Sequence, residues 1–438
     1  MRIQPDPFDP DADLPEQADV VIIGGGIIGA ACALSLADKG VSVALCEKGV
    51  MGGEQSGRNW GWCRAMGRDP AELPLAIESV RLWRGMNERV GAETGFRQAG
   101  TMYLADTPAD LAEQAQWLDH ARQYQLDCRV LTPAQVEEVL PGGRRPWAGG
   151  LHTPSDGRAE PFKAVPAIAA AARRAGATIL TNCAVRGVER SAGRVAAVVT
   201  ERGRIRCSSV VMAGGAWSRL FCGNLGIDVP QLKLLLSVLR TTPVDGPDCA
   251  AGASDFAFRR RLDGGYTIAR RNAAVAQVVP DSFRLLTDFL PTLRKSYREF
   301  RIRAGRAFFE ELALKRRWSL DEPTVFEQVR TLDPEPGEAL NQDGLRRARA
   351  AYPFLEGAQI AGSWGGVVDA TPDEVPIIGE IDALPGFFLA TGFSGHGFGI
   401  GPGAGQLVAD IVRGVSNPIV DPAPFSPRRF RRLRSAAV

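Results

Sequence analysis

Residues 18–48 read ADVVIIGGGIIGAACALSLADKGVSVALCEK, and this stretch decides the fold. An apolar strand, Val20 to Ile23, runs straight into Gly24-x-Gly26-x-x-Gly29. An Ala-rich helix follows and stops at Gly40, and a second apolar strand, Val41 to Cys46, ends at Glu47. Gly24 allows the tight turn, Gly26 lets a pyrophosphate approach the backbone, and Gly29 lets the helix pack on the strand. The helix start offers free N–H groups and a positive dipole end to the phosphates. Glu47, at the tip of the second strand, is placed to accept hydrogen bonds from ribose hydroxyls. Strand, glycines, helix, strand and acid in this order predict a site for an ADP-containing dinucleotide.

The run from Val20 to Ala37 carries no charge, so a membrane span or signal core is the competing reading. Three adjacent glycines interrupt it, and the preceding DPFDPDADLPEQAD (residues 6–19) is acidic where a signal peptide is basic. The expectation is a cytoplasmic protein with no transmembrane segment. A chain of 438 residues buries a large core and predicts two domains. Lys and Arg total 52 against 50 Asp and Glu, so no global field argues for nucleic acid. The eight cysteines are scattered with no C-x-x-C pair, and read as reduced thiols. His120, His152 and His396 are the only histidines and lack metal-ligand spacing, so no metal centre is expected. The basic run at the C-terminus, SPRRFRRLRSAAV, is read as a solvated tail rather than an anion-binding contact.

After Glu47 comes a glycine-rich polar loop, then a helix from about Glu72 to Val90 and a strand from Phe96 to Ala105. Pro108 to Leu140 reads as amphipathic helix broken near Leu126, with Thr132-Pro133 a fresh start. A strand at Gly149 to Thr153 precedes a helix over Pro161 to Ala175. Strands at 178–179 and 184–190, and a hairpin turning at Arg202-Gly203, lead to the apolar strand Val210 to Met212. Strands at 232–240, 257–261 and 266–269 follow, then a long helix around Phe283 to Phe300 and a short basic one at Asn341 to Tyr352. The chain ends in a βα unit, with Gly386 to Thr391 as strand and Gly403 to Arg413 as helix. The fold class expected is α/β: a Rossmann-like cofactor domain with a discontinuous, β-rich (α+β) substrate domain. The cofactor domain takes residues 1–95, 155–228 and 355–438, and the substrate domain takes 96–154 and 229–354.

Three further segments narrow the cofactor. The loop Glu54-Gln55-Ser56-Gly57-Arg58-Asn59-Trp60-Gly61-Trp62-Cys63-Arg64 follows the acid-ended strand. Val210 to Ser218 is a strand ending in small residues, and TPDEVPIIGE…GFSGHGFGIG fills residues 371–401. In this order the chain resembles the DAO family of flavoproteins, which includes D-amino acid oxidase, glycine oxidase and sarcosine oxidase. The resemblance covers essentially the whole chain and implies FAD. It implies that Gly24, Gly26, Ile28 and Gly29 hold the pyrophosphate, Glu47 the ribose, and Lys48 the adenosine side. Ser56, Gly57, Arg58 and Asn59, with Trp60 and Gly61 after them, would run beside the diphosphate and isoalloxazine. Val185 would pair its backbone with adenine, and Ala213, Gly214 and Trp217 would lie beside the diphosphate. Gly395, His396, Gly397, Phe398, Gly399 and Ile400 would bring backbone N–H groups to the flavin N1–C2=O edge, where reduction develops negative charge. A nicotinamide develops no such charge, so a second helix start suits a flavin. Sarcosine oxidases of this family hold flavin through a cysteine shortly before Thr-Pro-Asp-Glu. Residues 362–368 here are Gly-Ser-Trp-Gly-Gly-Val-Val, so noncovalent FAD is expected. Those enzymes also carry a lysine where this chain has Gly399, which puts their small N-methylated substrate in question.

The family's reaction is oxidation of a C–N bond: hydride leaves the α-carbon for flavin N5 and the imine hydrolyses. Expected substrates are a D-amino acid, an N-substituted amino acid or a polyamine-like amine, with O2 or an electron-acceptor protein or quinone as partner. The alternatives are a 2-hydroxy-acid dehydrogenase and a flavin subunit of a larger dehydrogenase. Such chemistry relies on orientation and desolvation, so no catalytic acid–base residue is assigned. Arg64 is the candidate for a substrate carboxylate, because guanidinium grips carboxylate bidentately. Trp62, Tyr266, Trp364 and Phe393 are the aromatic candidates for the substrate. His396 reads as a turn residue of the flavin loop, with a proton role the lesser reading, and Cys63 as a quiet buried thiol. Arg259, Arg260, Arg261, Arg270 and Arg271 cluster on a hairpin, where strand alternation predicts that most are solvated.

Overall fold

A computed structural model describes residues 4–296 and 300–434. The strands Val20–Ile23 and Val43–Cys46 are buried along their whole length and pair in parallel, Val20 against Val43 through Ile23 against Cys46. Unbroken apolar runs of this kind belong to parallel sheets covered on both faces. Ser209–Met212 joins on one side and Thr178–Leu180 on the other, both in parallel. Phe387–Thr391 extends the parallel set, and Ile377–Glu380 closes this six-stranded sheet in the antiparallel sense. The helix Ile27–Ala37 is buried at every residue because the helices Pro161–Arg174 and Gly401–Val412 pack on it from either side. A Cβ at Gly405 would lie 2.5 Å from the Ala31 Cβ, so glycine there sets how closely two helices approach. On the opposite face lies a three-stranded antiparallel sheet, Val185–Ser191, Arg194–Thr200 and Gly203–Arg206.

The second sheet has ten strands and draws on residues 101–153, 232–303 and 360–370. Leu232–Thr241 runs through its middle and pairs with Ile360–Ala370 from Leu232 against Ala370 to Thr241 against Ile360. Residues 360–370 therefore extend the sheet of the β-rich part, although the boundary expected at 355 assigns them to the cofactor domain. A separate core of Phe256, Phe258, Tyr266, Tyr352 and their neighbours lies under this sheet.

Other differences have local causes. The helix expected over 72–90 is two helices, Leu73–Arg84 and Met86–Val90, divided at Gly85. The strand expected over 96–105 is broken at Gly100, whose φ of +74° is unavailable to an extended strand. A strand, Arg129–Leu131, separates the helices of the 108–140 region. In place of one helix over 283–300 stand Pro280–Arg284 and Leu286–Ser296, then a strand from Phe300 to Arg303; residues 297–299 of that expectation lie outside the described residues. The C-terminal run is no free tail where it is described. Arg428 pairs with Asp382, Arg429 with Asp373, and Arg432 with Asp228 and Asp288, whereas residues 435–438 lie outside the described residues. No helix among the described residues is long and apolar enough to cross a membrane.

Candidate active site

The C-terminal ends of the parallel strands open onto one elongated cavity, the crevice at which doubly wound sheets receive ligands. Gly24, Gly26, Ile28, Glu47, Lys48, Ser56, Asn59, Val185, Ala213, Gly214 and Trp217 line it, and Phe393, Gly395, Gly397 and Phe398 line it farther along. The glycine turn is built against a neighbouring strand. Gly24 has φ +112°, and a Cβ there would meet the Ala213 carbonyl oxygen at 2.4 Å. Gly29 lies beneath the turn, where a Cβ would be 2.0 Å from the Gly24 carbonyl oxygen, and so supports the cavity without lining it. Above the turn the Ser56 hydroxyl accepts from the Ile27 N–H at 2.9 Å. Both Glu47 oxygens accept backbone N–H groups, from Gly25 at 2.6 Å and from Gly49 at 2.7 Å. Burial pushes this carboxyl above the usual carboxylate range, against the opposing pull of Lys48 and the two N–H donors. Each oxygen keeps a lone pair for a ribose hydroxyl.

Lys48 closes this end by reaching across the fold. Its ammonium donates to Glu54 at 2.6 Å and to the carbonyls of Val329 and Arg330 at 2.7 and 3.0 Å. Glu54 also accepts from Leu332 N–H and from the indole of Trp217. At the other end the turn before the helix Gly401–Val412 is pinned from behind. Trp83, fully buried, donates its indole N–H to the Gly399 carbonyl at 2.9 Å, and its ring lies 5.3 Å from that of Phe398. Asp369 sits beside this end and accepts from Gly392 N–H at 2.7 Å and Gln231 at 3.0 Å.

Adjoining this end is a chamber of about 290 Å³ that shares Gln55, Asn59, Gly395 and Phe398 with the long cavity. Arg58, Trp60, Gly61, Trp62, Arg64, His396, Gly399 and Ile400 face it, together with Arg68, Tyr103, Leu236, Val238, Arg270 and Arg271. The Arg64 and Arg271 guanidinium carbons stand 5.2 and 4.9 Å from the centre of the Tyr103 ring, and Arg64 also lies 5.7 Å from that of Trp62. Arg64 donates to the Met66 carbonyl and Arg271 to the Ala253 carbonyl, and neither meets a carboxylate among the described residues. Arg68 is buried with its Nε unpartnered, and burial with Arg64 nearby lowers it to about 10. Behind Arg64, the buried Asp156 accepts from Ala65 N–H at 2.8 Å and from Met66 N–H at 3.4 Å, and burial raises it to about 7. The result is a small chamber with aromatic walls and an excess of guanidinium, built for an anion attached to an apolar body.

Besides Gly29, three expected site residues stand behind the walls, and a fourth, Arg58, is tied down at the chamber's edge. Tyr266 is fully buried under the ten-stranded sheet, its hydroxyl donating to the Pro247 carbonyl at 2.8 Å, and it faces neither cavity. Trp364 packs edge-on to Phe162 and donates to the Arg58 carbonyl at 3.0 Å, so it braces the loop from behind. Gly57 is likewise behind the wall, where a Cβ would be 2.3 Å from the Gly52 carbonyl oxygen. Arg58 borders the chamber, but its guanidinium is held by Asp333 at 2.5 Å and the Gly365 carbonyl. The hairpin arginines are not solvated as alternation predicted. Arg259 is fully buried against Glu160 at 2.6 Å, Arg261 lies beside the same carboxylate, and Arg270 pairs with Asp343. Glu160 comes from a distant segment, so no local pattern announces the pairing. Arg68, Glu72, Tyr103 and Asp369 stand in no motif of their own, Glu54 only opens the polar loop, and Arg271 looks like its hairpin neighbours; only the folded chain brings them to the site.

The family model for FAD-dependent oxidoreductases of the DAO type matches residues 19–411. Mitochondrial sarcosine dehydrogenase of Mus musculus is 28% identical over 436 residues, covering 97% of this chain and 42% of that protein. This chain thus spans less than half the length of the first curated relatives it matches. Glycine oxidase of Pseudomonas aeruginosa is 26% identical over 422 residues, covering 93% of this chain and 98% of the oxidase. Among solved structures, L-amino acid deaminase from Proteus myxofaciens in complex with anthranilate superposes with a TM-score of 0.93 at 36% identity, covering 97% of this chain and 96% of the deaminase.

Proposed function

This chain belongs to the DAO family of FAD-dependent oxidoreductases, and we propose that it oxidises the Cα–N bond of an α-amino acid with an apolar side chain, most simply the L enantiomer. The observation that carries the reading is the pair Arg64 and Arg271, two guanidinium groups over one face-forming ring with no carboxylate partner among the described residues. A substrate carboxylate supplies that partner, whereas a polyamine would bring cations to a cationic chamber. The chamber's volume, about 290 Å³, stands at the lower end of small-molecule sites (~300–1,000 Å³), as an amino acid requires. A solved relative at 36% identity is an L-amino acid deaminase that holds anthranilate, itself an aromatic amino-carboxylate.

The long cavity suits FAD on its own geometry. A cradle that Cβ atoms would fill stands at one end and a turn of glycine-rich backbone at the other, with the chamber beyond it. When bound, FAD supplies the two-electron acceptor for the α-hydrogen. The chain's own residues orient the substrate by its carboxylate, exclude water with Trp60, Trp62 and Phe398, and fix the cofactor's ribose at Glu47. The imino acid then hydrolyses in water. FAD is held without a covalent bond on this reading, since residues 362–368 lack cysteine and Cys46, at the adenosine end, is the cysteine of the cavity wall. Eight free cysteines fit a reducing compartment.

Anaerobic bleaching of the bound flavin, scanned over L- and D-amino acids, polyamines and 2-hydroxy acids, tests this reading. L-amino acids with apolar side chains should bleach it and release ammonia; bleaching only by hydroxy acids, without ammonia, overturns it. Reoxidation in air then identifies the acceptor, because rapid peroxide release means O2 and slow reoxidation means a partner protein or quinone.

A further inference from the structure

An α-amino group titrates near ~8 or above, so an amino acid enters the chamber as an ammonium ion. No hydride can leave its α-carbon until the nitrogen has a free lone pair. The residues that face the chamber include Arg58, Arg64, Arg68, Arg270 and Arg271 but neither aspartate nor glutamate. Arginine does not accept a proton, and a phenol such as that of Tyr103 is too weak a base. That leaves one imidazole. His396 stands in the turn that also faces the long cavity through Gly395 and Gly397, so it borders both the substrate's chamber and the cofactor's end.

Its other neighbour fixes the direction in which it works. The His396 Nδ1 lies 3.2 Å from an oxygen of Glu72, a carboxylate with no exposure at all, near the start of the helix Leu73–Arg84. Nε2 has no partner among the described residues, and the ring is partly exposed on the chamber side. A carboxylate behind Nδ1 holds the tautomer whose Nε2 carries the lone pair. We infer that His396 takes the proton that the substrate ammonium loses before oxidation, with Glu72 as its positioning residue. The inference rests on the amino-acid reading above.

In the step the substrate N–H bond breaks and an Nε2–H bond forms. The nitrogen lone pair then becomes the second bond of C=N as the α-hydrogen leaves with its two electrons for the family's FAD. The proton on Nε2 passes to water when the product departs. Charged groups facing the imidazole are Glu72, Arg68 and Arg64, with Arg270 and Arg271 across the chamber. Burial and Arg68 hold the imidazole below its ordinary value against the pull of Glu72, so it is neutral and ready near pH 7. Burial works against the Glu72 carboxylate, but His396, Arg68 and Arg64 overcome it and keep it ionised.

The test uses FAD-loaded wild type, H396N and E72Q with an amino acid that bleaches the wild type, measuring flavin reduction by anaerobic stopped flow from pH 4.5 to pH 10. Removing the base should lower the rate constant over dissociation constant of H396N at pH 7 by about 10²–10⁴-fold. That ratio should then climb tenfold per pH unit as the substrate loses its own proton. Benzoate, a carboxylate that cannot be oxidised, should still perturb the flavin spectrum of H396N with unchanged affinity. The three histidines also allow a direct reading by isotope-edited NMR, with His396 assigned by its absence in H396N. E72Q should move both the His396 titration and the acid limb of the rate profile to lower pH. An H396N profile parallel to that of wild type, or an E72Q titration and profile identical to wild type, overturns the inference. If no amino acid bleaches the wild type, the amino-acid reading has failed, and an unmoved His396 titration in E72Q would show separately that no dyad exists.

Discussion

The cradle at one end of the cavity lies within a single run of chain, Gly24 to Glu47, whereas the chamber at the other end is assembled from runs around Asn59, Tyr103, Leu236, Arg271 and His396. Each rests on a carboxylate, half-buried at Glu47 and fully buried at Asp156, that accepts two backbone N–H groups. Glu47 does this for Gly25 and Gly49, and Asp156 for Ala65 and Met66. In the cradle the acid stands at a fixed distance along the chain from the glycines it supports. In the chamber it is 90 residues or more from the loop it holds. Anchoring a common cofactor needs one local geometry. Recognising a substrate needs side chains that converge from several sheets and can be exchanged one at a time.

The largest effect should come from the cradle. Gly24→Ala forces a side chain into φ +112° and drives a Cβ to within 2.4 Å of a backbone oxygen. About 3 kcal/mol or more of clash and strain is expected, and the variant should purify without flavin colour. A yellow, active G24A would show the cradle is not what grips the diphosphate. Next comes Arg271→Ala, which on the proposed reading removes a charge-assisted contact worth ~2–3 kcal/mol. Amino-acid KM should rise by about 30- to 150-fold while flavin content stays at the wild-type level; an unchanged KM would separate Arg271 from the substrate.

The two carboxylates allow a finer comparison. Burial raises Asp156 from 3.8 to about 7, so between those values the folded chain keeps a proton that the unfolded chain has released. Stability supplied by the protonated group is therefore lost as pH rises through that window. Asp156→Asn should match the wild type near pH 4 and exceed it by on the order of 2 kcal/mol at pH 5.5 in urea melts. Equal melts at both pH values would mean the carboxylate is ionised and satisfied throughout. The smallest effect is expected from Glu47→Gln, which keeps an acceptor for one N–H but gives up the charge. FAD affinity should fall by about tenfold, ~1.4 kcal/mol, with the rate of the loaded enzyme unchanged.

The same contrast explains what could be read in advance. The parallel strands, the glycine turn and the last βα unit follow from periodicity and glycine spacing, which act over a few residues. Arg271 stood in plain view but was indistinguishable from Arg259, Arg261 and Arg270, because only pairing sorts them. Glu160 takes two of them, Asp343 takes another, and Arg271 is left to the chamber. Tyr266 failed as a substrate residue for a similar reason, since nothing local distinguishes a strand residue facing a core from one facing a cavity. Glu72 carried no signal at all. Its role depends on a contact with His396 made 324 residues later in the chain.

The bridge from Lys48 to the carbonyls of Val329 and Arg330 bears on the order of events during synthesis. The glycine turn leaves the ribosome well before residues 329–332, which bridge over it, and before residues 393–398 of the far wall. A nascent chain can display the diphosphate motif long before it can retain the cofactor. On the FAD reading, retention of the cofactor therefore waits until these distant segments of the chain have met.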